Sequence, residues 1–160
     1  MGRAATLPVI VAMAAALIVA LLGGTITDLG PWYEGLHKPG FTPPRPVFPI
    51  AWTTIFALAA LAGVSAWRAA PNSRVSDTLI GLFALNGFLN VLWSLVFFRL
   101  QRPDWAFFEL IALWLSIATL IVYCWRLSRR AALLLVPYLV WVTVAGALNW
   151  AVVQLNAPFG

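Results

Sequence analysis

Five apolar runs, each more than 20 residues long and separated by short connections, take up most of this chain. They cover approximately residues 5–26, 47–67, 78–98, 104–125 and 131–155. A helix needs roughly 20 apolar residues to cross the hydrocarbon layer of a bilayer, whereas strands of a membrane barrel alternate in hydropathy over about ten residues. These runs do not alternate, so we predict an all-α integral membrane protein. One domain, residues 1–160, would form a bundle of five transmembrane helices.

The charge content supports this fold class. Only 9% of the residues are charged, against ~25% in typical soluble domains. The first run could be mistaken for a signal peptide, but the apolar segment of a signal peptide usually spans about 7–15 residues. The run is longer, so we expect a retained helix.

The basic residues are placed as in a membrane protein and not as in a nucleic-acid-binding protein, because they lie at helix ends or in connections. One predicted side carries Arg3, Arg68, Arg74, Arg126, Arg129 and Arg130. The other side carries Lys38, Arg45, Arg99 and Arg102. Since cytoplasmic segments are enriched in Lys and Arg, we expect the N-terminus in the cytoplasm and the first loop and C-terminus outside.

The first loop, residues 27–46, is rich in proline and aromatic residues. Its central stretch, residues 32–46, contains Trp32, Tyr33 and Phe41 together with several prolines. Proline fixes one backbone dihedral angle, and aromatic rings carry a large buried area. The composition therefore predicts a structured loop that keeps one shape.

The inventory of reactive side chains is small. The single Cys124 excludes an intrachain disulfide and a cysteine-based metal site, and the single His37 lies in the first loop. We expect no metal, no cofactor and no conventional catalytic set. Glu109 is the one acidic residue well inside a predicted span. We expect it to form an ion pair at the membrane interface, with Arg99, Lys38 or Arg45 as candidate partners, rather than to handle protons.

Two predicted helices each carry a face with tryptophan and asparagine. Residues separated by three or four positions share a helix face. The third run places Asn86, Asn90, Trp93 and Phe97 in this way, and the fifth run places Trp141, Ala145, Leu148 and Asn149. The asparagines could be hydrogen-bonding groups that join neighbouring helices, or polar groups in an aromatic cavity for a planar, mostly apolar ligand. Both interpretations stay open at this point.

Several ordered motifs resemble those of the TspO/MBR family of tryptophan-rich sensory proteins and translocator proteins. The matching segments are Trp32-Tyr33, Lys38-Pro39, Pro43-Pro44-Arg45, Pro49, Trp52-Thr53, Leu89-Asn90, Trp93, Phe97-Phe98, Trp105-Ala106, Pro137 to Trp141 and Leu148-Asn149. They run from residue 32 to residue 149 in the family's order and spacing.

The resemblance implies a five-helix bundle, commonly dimeric, whose first loop acts as a lid over a ligand cavity. It implies binding of porphyrins such as protoporphyrin IX and of isoquinoline-carboxamide-type ligands. The candidate ligand-binding residues are Phe41, Pro43, Pro44, Trp52, Asn90, Trp93, Trp105, Phe108, Trp141, Ala145, Leu148 and Asn149. The leading hypothesis is a binding or sensory protein.

Two other functions stay open. The resemblance also implies light- and oxygen-dependent porphyrin degradation, for which Trp52 and Trp141 would be the reacting residues. Transport of porphyrin or sterol is the third hypothesis; it is less favoured because coupled carriers usually place charged residues inside the membrane, and this chain offers Glu109 near an edge. A bacterial inner membrane is favoured, and the outer membrane stays open.

The chain departs from the family pattern in two regions. Phe41 and Pro46 stand where tryptophans are usual, which weakens the degradation hypothesis more than the binding hypothesis. In the fifth run, no Lys or Arg follows Leu148, so we expect weak or absent cholesterol recognition. For a homodimer, Gly81, Ala84 and Gly87 could allow close approach of helices.

Overall fold

A computed structural model describes residues 6–159, and six helices and one π-helical turn lie among them. The helices are α1 Leu7–Ile26, α2 Pro31–Gly35, α3 Val47–Ala69, α4 Ser73–Ser94, α5 Pro103–Leu127 and α6 Arg129–Asn156, with the π-helical turn Leu95–Arg99 continuing α4. There is no strand in this part of the chain. Five of the helical segments are long and apolar enough to cross a membrane, so the predicted all-α membrane bundle is confirmed.

The observed bounds follow the predicted ones closely, with α4 as the main difference. The prediction began this helix at residue 78, but it begins at Ser73. The Asn72 side chain accepts a hydrogen bond from the Val75 N–H (3.0 Å), which stabilises a polar first turn that hydropathy alone overlooks. At the N-terminus, Arg3 and Ala5 lie outside the described residues, so the topology expected from Arg3 stays a prediction.

The two ends of the bundle have different cores. At the end where α5 leads into α6, the side chains are small and tightly packed, and we refer to it as the alanine-rich end. Its buried cluster comprises Ala62, Ala66, Leu79, Leu120, Cys124, Ala131, Ala132 and Leu135. The opposite end, beneath the first loop, buries Phe97 and Phe98 with Trp32, Tyr33 and Trp93 packed against them, and we refer to it as the aromatic end.

Helix α1 is peripheral. It packs against α3 and α4, and none of its described residues is buried. Gly87 of α4 faces α1, since a Cβ atom at this position would lie 3.0 Å from Val19 Cγ2. Gly87 thus serves packing within the bundle, whereas Gly81 and Ala84 are exposed.

The π-helical turn ends α4 at the aromatic end. The Leu100 N–H donates to the Leu95 carbonyl five residues earlier (3.0 Å), and Gln101 then takes a positive φ of 54°. Such wide turns are rare and occur often at functional sites. This turn buries Phe97 and Phe98 against the first loop.

Candidate functional site

A cavity of about 480 Å³ lies at the aromatic end of the bundle. The first loop contributes Thr27, Leu29, Tyr33, Lys38, Thr42 and Arg45; α1 contributes Ala20, Gly23 and Gly24; and α3 contributes Phe48, Pro49, Trp52, Thr53 and Phe56. From α4 with its π-helical turn come Asn90, Trp93, Ser94, Phe97 and Phe98, and from α6 come Trp141, Ala145, Leu148, Asn149 and Val152. The volume falls within the roughly 300–1,000 Å³ of cavities that enclose small organic ligands.

Two indole rings from different helices meet in the cavity wall. Trp52 lies one turn into α3, and its ring stands perpendicular to that of Trp141 on α6, with 6.5 Å between the ring centroids. Phe48 contacts Trp141 edge to face at 5.8 Å, and Phe56 stacks on Trp52 at 5.5 Å. These contacts hold flat apolar surfaces at right angles, which favours ligands with a planar aromatic body.

Asn90 and Asn149, one on each of the two predicted faces, join helices and also line the cavity. Asn90 Nδ2 donates to the Tyr138 hydroxyl of α6 (3.0 Å). Asn149 Nδ2 donates to the Pro103 carbonyl at the start of α5 (2.7 Å), and Asn149 Oδ1 accepts from Trp93 Nε1 of α4 (3.1 Å). The hydrogen-bonding role that the sequence left open is therefore confirmed for both residues.

One polar group in the cavity wall lacks a partner. Trp141 Nε1 is buried and makes no hydrogen bond with any described residue, although a buried indole N–H usually finds an acceptor. Leaving such a donor unpaired costs about 1–3 kcal/mol. The atom exposes less than 1 Å² of surface, so an acceptor atom in the cavity would reach it only after the surrounding side chains moved.

The first loop is bonded to α6 at its middle, and the last turn of α1, just before the loop, is bonded to the π-helical turn. The His37 N–H donates to Asn156 Oδ1 (2.8 Å), and Asn156 Nδ2 donates back to the His37 carbonyl (2.8 Å). Near the start of the loop, Arg99 Nη2 donates to the Thr25 carbonyl (2.9 Å). The loop is thus structured, as predicted, whereas its action as a movable lid stays a prediction.

Aromatic and charged residues combine on the inner side of this loop. The Tyr33 ring packs against Phe98, with 5.6 Å between the centroids, and Lys38 Nζ lies 4.4 Å from the centre of the Tyr33 ring. Burial raises the pKa of the Tyr33 phenol above its usual value, and Arg45 acts in the opposite direction. The phenol is therefore neutral at physiological pH, and the charges on this wall are those of Lys38 and Arg45.

Seven of the twelve candidate ligand-binding residues line the cavity, and five do not. Those that line it are Trp52, Asn90, Trp93, Trp141, Ala145, Leu148 and Asn149. Trp105 and Phe108 are on the outer surface, 55% and 71% exposed, because α5 turns its buried face towards the rest of the bundle and Trp105 stacks on Arg102. Among the described residues, none of α5 lines the cavity.

The proline and aromatic residues expected from the first loop also lie outside the wall. Phe41 is 59% exposed. Pro43 and Pro44 lie in sequence between Thr42 and Arg45, which do line the cavity. Residues 42–44 form an irregular segment between two turns, and the side chains of Thr42 and Arg45, not those of the prolines, line the cavity. Among the positions with family departures, Phe41 and Pro46 are thus both exposed and away from the cavity.

The ion pair expected for Glu109 is wrong. Both carboxyl oxygens of Glu109 are buried without a hydrogen-bond partner among the described residues, and Arg99 instead bonds the Thr25 carbonyl. Arg99 is at the end of the π-helical turn, where it reaches the C-terminal end of α1 rather than α5. The ion pairs that the described residues do form are Arg45 with Glu34 and Arg102 with Asp104.

The sequence interpretation missed part of the wall. Phe48, Trp52 and Phe56 recur every four residues, a spacing that places them on one helix face, so Phe48 and Phe56 could have been found from the sequence. Lys38 and Tyr33 had no such signal, because their positions depend on how the first loop folds back over the bundle.

Comparison with known proteins agrees with the resemblance. The sequence profile of the TspO/MBR family matches residues 10–155. A tryptophan-rich protein TspO from Archaeoglobus fulgidus is 37% identical over 155 residues, covering 94% of this chain and 98% of that protein.

Other relatives include a second prokaryotic protein and an animal protein. Protein CrtK from Rhodobacter capsulatus is 36% identical over 133 residues, covering 83% of each chain. The human translocator protein is 30% identical over 126 residues, covering 78% of this chain and 75% of that protein. With the helical bundle and the extent of these matches, the chain belongs to the TspO/MBR family of multi-pass integral membrane proteins.

Proposed function

We propose that this protein binds planar, mostly apolar tetrapyrroles of the porphyrin type in the cavity at the aromatic end, and that binding serves a sensory or regulatory role. The observation that carries the proposal is a cavity walled by the rings of Trp52, Trp93 and Trp141. Flat aromatic walls suit a flat ring system.

The arrangement of polar groups supports binding over chemistry on the ligand. The amide groups of Asn90 and Asn149 are committed to bonds between helices, so they fix the cavity's shape before a ligand arrives. A preformed cavity loses less conformational entropy on binding than one that must be ordered. Among the described residues, no acidic or basic side chain in the wall lies next to a group that would activate it for acid–base or nucleophilic chemistry.

The names of relatives favour a sensory role. One relative from Cereibacter sphaeroides, 36% identical over 133 residues, is a tryptophan-rich sensory protein. Transport is less favoured because Glu109 is the one described charge well inside a spanning helix, and it does not line the cavity. We place the protein in the inner membrane, where helical bundles are usual.

The test is a titration of protoporphyrin IX in the dark, followed by quenching of tryptophan fluorescence. Wild type should show saturable binding of one porphyrin per chain, and the Trp52→Phe, Asn90→Ala and Trp141→Phe variants should bind more weakly. Trp125→Phe is the matched control, since Trp125 is exposed at the opposite end of the bundle. Equal affinity in all the variants would refute the proposed cavity.

Porphyrin degradation in light is the second candidate, favoured by the contact of Trp52 with Trp141 inside one cavity. Indoles this close to a bound, photoexcited porphyrin could donate electrons. The same samples, illuminated in air, should then lose porphyrin absorbance faster than protein-free samples, and the loss should slow in Trp52→Phe and Trp141→Phe at saturating porphyrin. Equal loss with and without protein would exclude this activity.

A further inference from the structure

The charge in the cavity wall has one sign. The charged side chains that line it are Lys38 and Arg45, both from the first loop, and none of the described acidic residues lines it. The rest of the wall is aromatic, aliphatic or neutral polar. A cavity with apolar depth and a cationic edge complements a ligand that is apolar over most of its body and anionic at one edge.

Of the two cations, Lys38 is better suited to bind a ligand's carboxylate. Its ammonium donates to the carbonyls of Tyr33 (2.6 Å) and Leu36 (3.3 Å), which leaves one of its three N–H donors free. Lys38 is partly buried, and no described carboxylate forms an ion pair with it. Its positive charge is therefore balanced only by carbonyl dipoles and by the Tyr33 ring.

Arg45 is in a different situation. Arg45 Nη2 pairs with Glu34 Oε1 at 2.7 Å, and both side chains are more than half exposed. A guanidinium has five N–H donors, so Arg45 can accept a second carboxylate while it keeps Glu34. Because solvent screens an exposed pair, its contribution should be smaller than that of Lys38.

We propose that Lys38 and Arg45 determine ligand specificity by binding carboxylate groups at one edge of the ligand, while the planar apolar body lies against Trp52 and Trp141. The ligand class is thus a planar aromatic carboxylic acid with its acid groups directed at the first loop. For the largest ligands of this class, the porphyrin dicarboxylic acids, the inference rests on the proposed function. It also applies to smaller planar acids.

The experiment compares each acid with its neutral ester. Protoporphyrin IX is paired with its dimethyl ester, and 1-pyrenebutyric acid with its methyl ester, each titrated in the dark against detergent-solubilised full chain. The variants are Lys38→Met and Arg45→Gln. The matched control is Arg74→Gln, which removes an exposed cation at the opposite end of the bundle.

Wild type should bind each acid about tenfold more tightly than its ester, the order of effect that a charge-assisted hydrogen bond supports. Lys38→Met should remove most of this preference, Arg45→Gln a smaller part, and Arg74→Gln none. If Lys38→Met merely released the loop, acid and ester would weaken together and the preference would remain, which would overturn the proposal.

The two ligand pairs separate this inference from the proposed function. If the wild-type protein bound no porphyrin but preferred pyrenebutyric acid over its ester, the tetrapyrrole function would be refuted and the cationic edge supported. Porphyrin binding with equal affinity for acid and ester in both pairs would support the function and refute the cationic edge. Failure of all four ligands to bind would refute both.

Discussion

The alanine-rich end and the aromatic end of the bundle are built from the same helices and have opposite packing. At the alanine-rich end, Ala62, Ala66, Ala131 and Ala132 are fully buried, so small side chains fill the space between the helices. At the aromatic end, large rings project from α3 and α6 and meet edge to face. A cavity lined by these rings lies between the helices.

The contrast teaches that side-chain size, more than polarity, divides this bundle into a structural half and a binding half. The helices continue through both halves, and buried polar side chains occur in both, Ser76 at the alanine-rich end and Asn149 at the aromatic end. The alanine-rich half sets the positions of the helices. The spacing between the helices is therefore fixed in the aromatic half as well, and the rings there form the walls of the cavity.

The largest expected effect comes from overfilling the alanine-rich end. Ala62→Phe places a ring at a position with 0% exposure, and because the surrounding helices cannot separate without disrupting the cluster, the protein should lose about 3 kcal/mol or more of stability. Thermal unfolding in detergent measures this. Ala57→Phe on the same helix is exposed and should melt as wild type does; equal melting of the two variants would show that this end is not tightly packed.

A smaller loss is expected where Asn149 joins three helices at the aromatic end. Asn149→Ala removes its bonds to Trp93 and Pro103 and should cost about 0.6–2 kcal/mol, the range for hydrogen bonds between membrane helices. Trp93→Phe removes one of the same bonds, so the effects of the two substitutions should be less than additive in the double variant. Full additivity would contradict a shared hydrogen-bond network.

The smallest effect is expected at the attachment of the first loop to α6. Asn156→Ala removes two solvent-exposed bonds to the His37 backbone, so stability should change by less than about 1 kcal/mol. Release of a bound porphyrin, followed by stopped-flow fluorescence, should nevertheless become faster because the loop opens more easily. Gln154→Ala, exposed on the same helix, should leave the rate unchanged; equal rates in both variants would show that the loop does not retain the ligand.

A feature could be predicted from the sequence when hydropathy or helical periodicity determines it, and not when the fold of a loop does. Hydropathy and length determine the spanning helices, so their bounds were predictable to within a few residues except at Asn72, where a side-chain cap decides. Helical periodicity places Trp52, Asn90 and Trp141 on inward faces. The positions of Lys38 and Tyr33 depend on the fold of a loop with no periodicity, and nothing in the local sequence indicates them.

The outward orientation of Trp105 and Phe108 shows the same limit. Both belong to a helix that is apolar on all sides because one face contacts lipid and another contacts protein, and hydropathy cannot distinguish these faces. Only the packing of α5 against α6 and α4 decides. The carboxyl group of Glu109 is buried for the same reason, and the neighbouring residues in the sequence do not indicate this.

The most direct measurement of the central claim, that the aromatic end holds a ligand in its cavity, is a dark titration of protoporphyrin IX against Ala145→Phe and Ala147→Phe. These residues are two apart on α6, but Ala145 lines the cavity and Ala147 is exposed. Filling the cavity with a ring at position 145 should weaken porphyrin binding more than about tenfold, while the same ring at position 147 should leave the dissociation constant unchanged. Equal dissociation constants in wild type and both variants would contradict the account.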